Sequence, residues 1–488
     1  MGRRGDVQEV ELHDSAVPDD ALPTDPRGSR GRVWLVGVVA VVALALGVTQ
    51  WVMTARENAA VARLAQVPGV IGHVDESLDV VRVLTPQDTV ALAGEAYGVL
   101  DRGADGAQSY QWFEPADDGQ GWTTPLLDAP AGLETSSQVY FDSTCATDEA
   151  SGVGTGDADH VVCLVTDGGR VVSSTGQSGE ALPTTTTDIV VLDTADGSVL
   201  ARWPLRDGYG VVALPGPVAV VDAQSDDGQV VTAYDPLSGR ALWTHEARST
   251  TRQMSEMFRL GDLVALTDAG GELTLLSSDG AVVRSGIAAP GDASQGRGWN
   301  SDPRRATVTL FAQASDGTSQ SVVVSGADPA TDLEVDGMLL EVGVDDGSVP
   351  GLLLTADSSV HAYDASTGAT RWTTDVRSTT NALVVRGRVY ATSDREVVAI
   401  DGRSGRELWR SDERVGLALS NLLTDGEHIL AAAERTGTSG VPALVAYDPA
   451  SGEEVFRAPY PDGVIEVGAL GRTLVGRDSA SDEQVELG

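Results

Sequence analysis

The chain contains no lysine. All 33 of its basic side chains are arginine, set against 72 aspartates and glutamates, and the formal net charge is −39. Duplex nucleic acid is excluded as a partner, because a polyanion is bound through an excess of cationic side chains. Cysteine is nearly absent, with only Cys145 and Cys163 in 488 residues. Two cysteines so far apart form no C-x-x-C-H haem attachment site and no adjacent-cysteine disulfide. The sequence also lacks a G-x-S-x-G nucleophile elbow, a G-x-x-x-x-G-K-[ST] phosphate loop and EF-hand spacing.

One long uncharged apolar run is present, VWLVGVVAVVALALGVTQWVM at 33–53. As a helix it spans ~30 Å, the thickness of a bilayer core. Arg27, Arg30 and Arg32 crowd its N-terminal flank, whereas Arg56 and Arg63 follow it. The positive-inside tendency therefore predicts a cytoplasmic N-terminus and an extracytoplasmic remainder. A cleaved signal peptide is the rival reading, but its Ala43-Leu44-Ala45 site falls inside the apolar run, and a 32-residue polar leader is long for such a signal. No cysteine follows the run to accept a lipid. Residues 1–32, with seven acids, five arginines, Pro18, Pro23 and Pro26, read as a disordered cytoplasmic tail, and 54–67 as a helical stalk.

From 68 to 488 the text changes to short Val, Leu, Thr and Tyr runs broken by Asp-Gly, Ser-Gly and Thr-Gly turns, the pattern of antiparallel sheet. VTAYDPLSGRALW at 231–243 returns as VHAYDASTGATRW at 360–372 and VVAIDGRSGRELW at 397–409. In each, an aspartate accepts hydrogen bonds from following amides to start a turn, a glycine tolerates positive φ, and an aromatic follows on the returning strand. Four copies match at every anchor: Asp235, Gly239, Trp243; Asp364, Gly368, Trp372; Asp401, Gly405, Trp409; and Asp448, Gly452, Phe456. A fifth keeps Asp193 and Gly197 but puts Ala201 at the aromatic position, with Trp203 two residues later. A sixth runs 273–284 with Gly280, and a seventh lies in WFEPADDGQGW at 112–122. A repeat near 42 residues holds four short strands, which is one propeller blade.

The pattern Y/I-D-x-x-[ST]-G-x-x-x-W resembles the pyrroloquinoline-quinone-like (PQQ-like) repeat, in which the tryptophan docks between adjacent blades of an eight-bladed propeller. The resemblance implies an all-β propeller, covering 190–460 fully and 70–190 more loosely. Seven hairpins plus the C-terminal strands, completed by a strand near 69–77, make eight blades; seven is the alternative. Quinoprotein dehydrogenases of this resemblance hold PQQ with calcium on the axis, using a carboxylate base and a stacking tryptophan. Here Asp193, Asp235, Asp364, Asp401 and Asp448 have turn roles, so they are expected not to ligate a metal. Asp157, Asp159 and His160 form an acidic loop cluster read as solvated surface, and His245 and His361 sit on hairpin strands.

The leading expectation is a non-catalytic, membrane-anchored extracytoplasmic scaffold for an envelope or secreted protein or peptide, like the propeller lipoprotein that assists outer-membrane protein assembly. No catalytic, metal or cofactor residues are assigned on this reading. The alternatives are a true or degenerate quinoprotein oxidoreductase and a ligand sensor acting through a cytoplasmic partner.

In an oxidising compartment Cys145 and Cys163 are expected to pair, because QVYFDSTC and DHVVCLV both read as strands flanking a polar loop. The bridge is worth ~3 kcal/mol by loop closure. Mass spectrometry of the unreduced protein is expected to find no alkylatable thiol; two would remove the bridge.

Overall fold

The computed structural model describes residues 61–488 apart from 94–96, 104, 115–120, 130–137, 149–157, 173–177, 207, 216–217, 226–227, 249–255, 269, 303–304, 378–380, 394, 412–421, 434–441 and 482. The tail, the apolar run and the first part of the stalk lie outside the described residues. Arg63–Gly488 forms one compact unit. No helix among the described residues is long and apolar enough to cross a membrane.

Local structure follows from the aspartate turns. The carboxylates of Asp193, Asp235, Asp364, Asp401 and Asp448 accept backbone N–H groups two or three residues ahead at 2.7–3.2 Å. The N–H of each paired glycine then donates back to the aspartate carbonyl at 2.8–2.9 Å. Gly197, Gly239, Gly368, Gly405 and Gly452 hold φ between +66° and +75°, where a Cβ is strained. A register shift beside each turn places a small residue opposite the aromatic: Ala233 faces Trp243, Ala362 faces Trp372, Ala399 faces Trp409 and Ala446 faces Phe456. In the divergent copy Ala201 faces Val191, and Trp203, two residues along the same face, stands opposite Ile189.

Nine antiparallel sheets follow one another along the chain, at 97–127, 144–204, 210–248, 256–287, 296–336, 338–374, 381–410, 423–459 and 464–487, and are called the first to the ninth below. A small side sheet, built from Gln138–Phe141, Gly169–Val172 and Ser178–Leu182, branches from the second. Every successive pair shares its own buried apolar cluster. Central strands such as Asn381–Val385 and Ala443–Tyr447 are therefore buried on both faces. Among the described residues no such cluster joins the ninth sheet to the first.

Two expectations need correction. The series has nine sheets, whereas eight blades were read. The additional one is 296–336, whose outer connection turns through the short helical turn Pro329–Thr331, capped by Asp328, in place of the Asp-x-x-x-Gly signal. The N-terminal strand that completes the last sheet is Val80–Val83, paired with Gln484–Leu487, and not 69–77. Residues 69–78 instead pack as an irregular strap, with Val70, Ile71, Val74 and Leu78 buried against the last three sheets. Of the stalk expected at 54–67, residues 61–64 are helical among the described residues.

Cys145 and Cys163 are bridged, directly opposite one another on Thr144–Thr147 and His160–Thr166. The seventh sheet gains a fifth strand, Glu341–Asp345, which leaves the sixth sheet and pairs in parallel with the innermost strand Asn381–Val385.

Between sheets, the outer-strand aromatic covers the next turn. Trp122, Trp203, Trp243, Trp372 and Trp409 each donate the indole N–H to the carbonyl just after the next sheet's turn anchor, at 2.8–3.0 Å. A Cβ at Gly197, Gly239, Gly280, Gly405 or Gly452 would fall 2.4–2.9 Å from the covering ring. Trp409→Ala is expected to destabilise by about 3–5 kcal/mol, the usual cost of emptying an aromatic site. Gly405→Ala should also lower the melting temperature, through both its φ and the Trp372 ring. An unchanged melting temperature for both would show that the docks are not a main stabilising element.

Candidate functional site

The strap crosses the turns of the last two sheets and walls a pocket of about 200 Å³, lined among others by Gly72, His73, Asp75, Arg472, Thr473 and Gly488. It is tied down by backbone: Ile71 N–H donates to the Thr424 carbonyl at 3.0 Å and Gly72 N–H to the Arg472 carbonyl at 2.7 Å. Beside the pocket lies Asp425, whose side chain is fully buried. Its carboxylate accepts Glu427 N–H at 2.9 Å and His428 N–H at 2.6 Å, and sits 3.0 Å from His428 Nδ1. Its other imidazole neighbour is His73, whose Nδ1 lies 3.7 Å away, with Glu427 at 3.9 Å and Asp75 3.3 Å from Nε2. Phe456 meets the His428 ring edge-on at 5.3 Å. The Thr424 hydroxyl of the same turn donates to the His428 carbonyl at 2.7 Å, so it is committed to closing the turn. The group therefore acts as a polar anchor for the strap at the mouth of a small solvent-facing pocket.

The sequence-predicted residues divide cleanly. Every aspartate anchor is a turn former. The Ser238 backbone amide holds Asp235 below the usual carboxylate range, and the Ser366 hydroxyl and Arg371 do so for Asp364. His160 pairs with Asp148 at 3.0 Å and His361 with Asp357 at 3.1 Å. Asp157 lies outside the described residues, so the acidic loop cluster is described only in part.

Sequence reasoning missed the strap site, because His73 and Asp425 meet only in three dimensions. It also missed two docks. Arg284 stands four residues after Gly280, at the aromatic position, and there its guanidinium reaches the Asp332 carboxylate and donates to the Gly326 carbonyl at 3.0 Å. In the next interface Leu333 stands over Gly368, where an added Cβ would lie 3.6 Å from its side chain.

Among the described residues no group of three or more His, Cys, Asp or Glu can hold a metal ion. Five described tryptophans are spent on blade docks, Trp112 stacks on Trp122 at 5.8 Å, and Trp299 stacks on Phe258 at 4.4 Å.

Mostly four-stranded sheets in series, five of them latched to the next through an outer-strand tryptophan, define a β-propeller of PQQ-like blades. The family described as outer membrane protein assembly factor BamB matches residues 111–349 and 304–455, and the chain belongs to it. No curated protein matches the chain. Similar solved structures include BamB from Moraxella catarrhalis, 19% identical over 62% of this chain and 88% of that one, with a TM-score of 0.34. The C-terminal WD40 domain of Sif2 is 13% identical over 85% and 99%, with a TM-score of 0.37. A quinohemoprotein alcohol dehydrogenase, ADHIIG from Pseudomonas putida HK5, is 11% identical over 66% and 72%, with a TM-score of 0.30.

One buried acid stands apart from all these roles. Asp222, inside the strand Val218–Ser225, accepts Gln229 Nε2 at 2.7 Å on one oxygen and has no partner among the described residues on the other. Burial pushes its carboxyl up to about 6. A raised folded-state value means that the folded protein binds more protons than the unfolded chain between the ordinary carboxylate value and about pH 6, so stability falls as pH rises through that window. The ionised form costs on the order of 3 kcal/mol above it. Asp222→Asn keeps the Gln229 bond without the charge. The variant is expected to match wild type near pH 4 and to melt higher above pH 6.5; parallel curves would contradict the assignment.

Proposed function

We propose that the protein is a membrane-anchored, extracytoplasmic PQQ-like propeller serving as a non-catalytic scaffold for protein partners in the cell envelope. The observation that carries this reading is membership, over residues 111–455, of a family described as an outer-membrane protein assembly factor. The rim-docked tryptophans support it, since the aromatic surfaces that could stack on a quinone are engaged between blades. The cross-strand disulfide suits an oxidising compartment. The uncharged run at 33–53 suits a single-pass anchor with a cytoplasmic N-terminus.

In-cell crosslinking followed by affinity purification is expected to recover a stoichiometric protein partner with the full chain and not with a version lacking residues 68–488. Titration of the purified protein with PQQ and calcium is expected to leave the quinone absorbance unchanged. A saturable absorbance change without a protein partner would replace the scaffold with an oxidoreductase.

A further inference from the structure

Among the described residues the first sheet is one strand short. Its members Tyr97–Arg102, Gln108–Phe113 and Trp122–Leu127 lie in that order, and the last carries Trp122, which docks on the second sheet as the outer-strand aromatics do elsewhere. The missing strand is therefore the innermost. Among the described residues Tyr97–Arg102 has no strand partner on that side. The chain that precedes it forms the helix Pro86–Ala93 instead. A reciprocal cap fixes that helix: Thr85 N–H donates to Asp88 at 2.9 Å, and Asp88 N–H donates to the Thr85 hydroxyl at 3.2 Å. The local sequence thus commits the natural candidate for the fourth strand to another structure.

An unpaired edge is a template for another chain, and folded proteins usually block it with proline, lysine or a bulge. Gly98–Arg102 contains neither residue, and its register with the neighbouring strand is regular. The same molecule accepts an added inner strand elsewhere, where Glu341–Asp345 joins the seventh sheet.

We propose that the inner edge of Gly98–Arg102 receives an extended segment of a partner protein as a fourth strand, with apolar and basic side chains alternating along it. This deepens the scaffold reading and rests on it. The alternation follows from the two faces of the edge. Leu100 packs against the apolar cluster shared with the second sheet, whereas Asp101 is exposed on the opposite face. The charge follows from the surroundings: the described residues of 97–128 hold Asp101, Asp105, Glu114 and Asp128 against one arginine. That arginine, Arg102, donates to the carbonyls of Phe141 and Ser143 at 3.2 and 3.0 Å. Main-chain hydrogen bonds would supply affinity, and the two faces would select the sequence.

The test uses the full-length chain in detergent and three kinds of eight-residue probe: alternating Val–Arg, the same peptide N-methylated on either alternate set of amides, and alternating Val–Glu. The Val–Arg peptide is expected to bind by fluorescence anisotropy and to slow amide exchange within 98–102. One of the two methylated peptides, whose charge is unchanged, should bind at least tenfold more weakly, and Val–Glu should not bind. Asp101→Arg, an exposed position, should weaken Val–Arg at least tenfold. No binding, equal binding of both methylated peptides, or protection confined to other sheets would overturn the proposal. A cellular partner that crosslinks only to other sheets would overturn it too while leaving the scaffold reading intact.

Discussion

The structure depends on one contact made repeatedly: an indole ring laid over a glycine turn, with its N–H on the carbonyl beside that turn. The contact joins two demands that the sequence meets at fixed spacing. The glycine must hold positive φ to close its own hairpin, and it must lack a side chain so that the neighbouring ring can lie flat on it. The aspartate four residues earlier satisfies the turn amides and leaves the carbonyl just after it free to accept the indole. The second, third, sixth and seventh sheets therefore carry both halves of a latch, the turn for the preceding sheet and the aromatic for the next, and neither half satisfies itself. Stacking is a requirement of the unit.

The substitutions in this series show which part of the contact is indispensable. Arg284 stands at the aromatic position and reaches a carboxylate and a carbonyl across the interface. Its planar guanidinium can do so because it offers several donors in a fixed plane, as an indole offers one. Leu333 and Phe456 supply only apolar cover, and their interfaces have buried clusters of their own. Trp203 moves two residues along its strand, stays on the same face, and still reaches the Pro236 carbonyl. In each case one side chain of a sheet meets the next sheet; the indole hydrogen bond is one of several ways to complete the junction.

What was legible in the sequence was whatever local chemistry dictates. Asp-x-x-x-Gly with an aromatic four residues on is a turn and its neighbour's lid within nine residues, so the hairpins could be read one at a time. The sheet at 296–336 was unreadable by that rule, because its outer connection uses a capped helical turn. The closing strand was misplaced because 69–77 carries Val70, Ile71 and Val74 while Val80–Val83 carries three valines, and only the backbone partners at Thr424 and Arg472 distinguish strap from strand. The contact between His73 and Asp425 joins distant parts of the chain and leaves no local trace. Asp222 did leave one, a lone acid inside the apolar strand VAVVDAQS, and a charge in such a setting marks either a partner or a raised pKa.

The latches also explain why the repeat says little about activity. Aspartate, glycine and tryptophan at these positions are fully used in holding sheet to sheet, so none is left to distinguish one propeller's function from another's. Information about partners must lie where the series departs from its own rule. Two departures concern inner edges, and they are complementary. At the seventh sheet the chain fills the inner edge with a strand borrowed from the sixth. At the first sheet it withholds that strand and folds the available segment into a capped helix. The first sheet also faces the one junction in the series without a shared apolar cluster among the described residues. A backbone edge with no strand partner among the described residues, carrying the exposed Asp101, at the junction without a shared apolar cluster, is where another chain can add with the least disturbance to the latches.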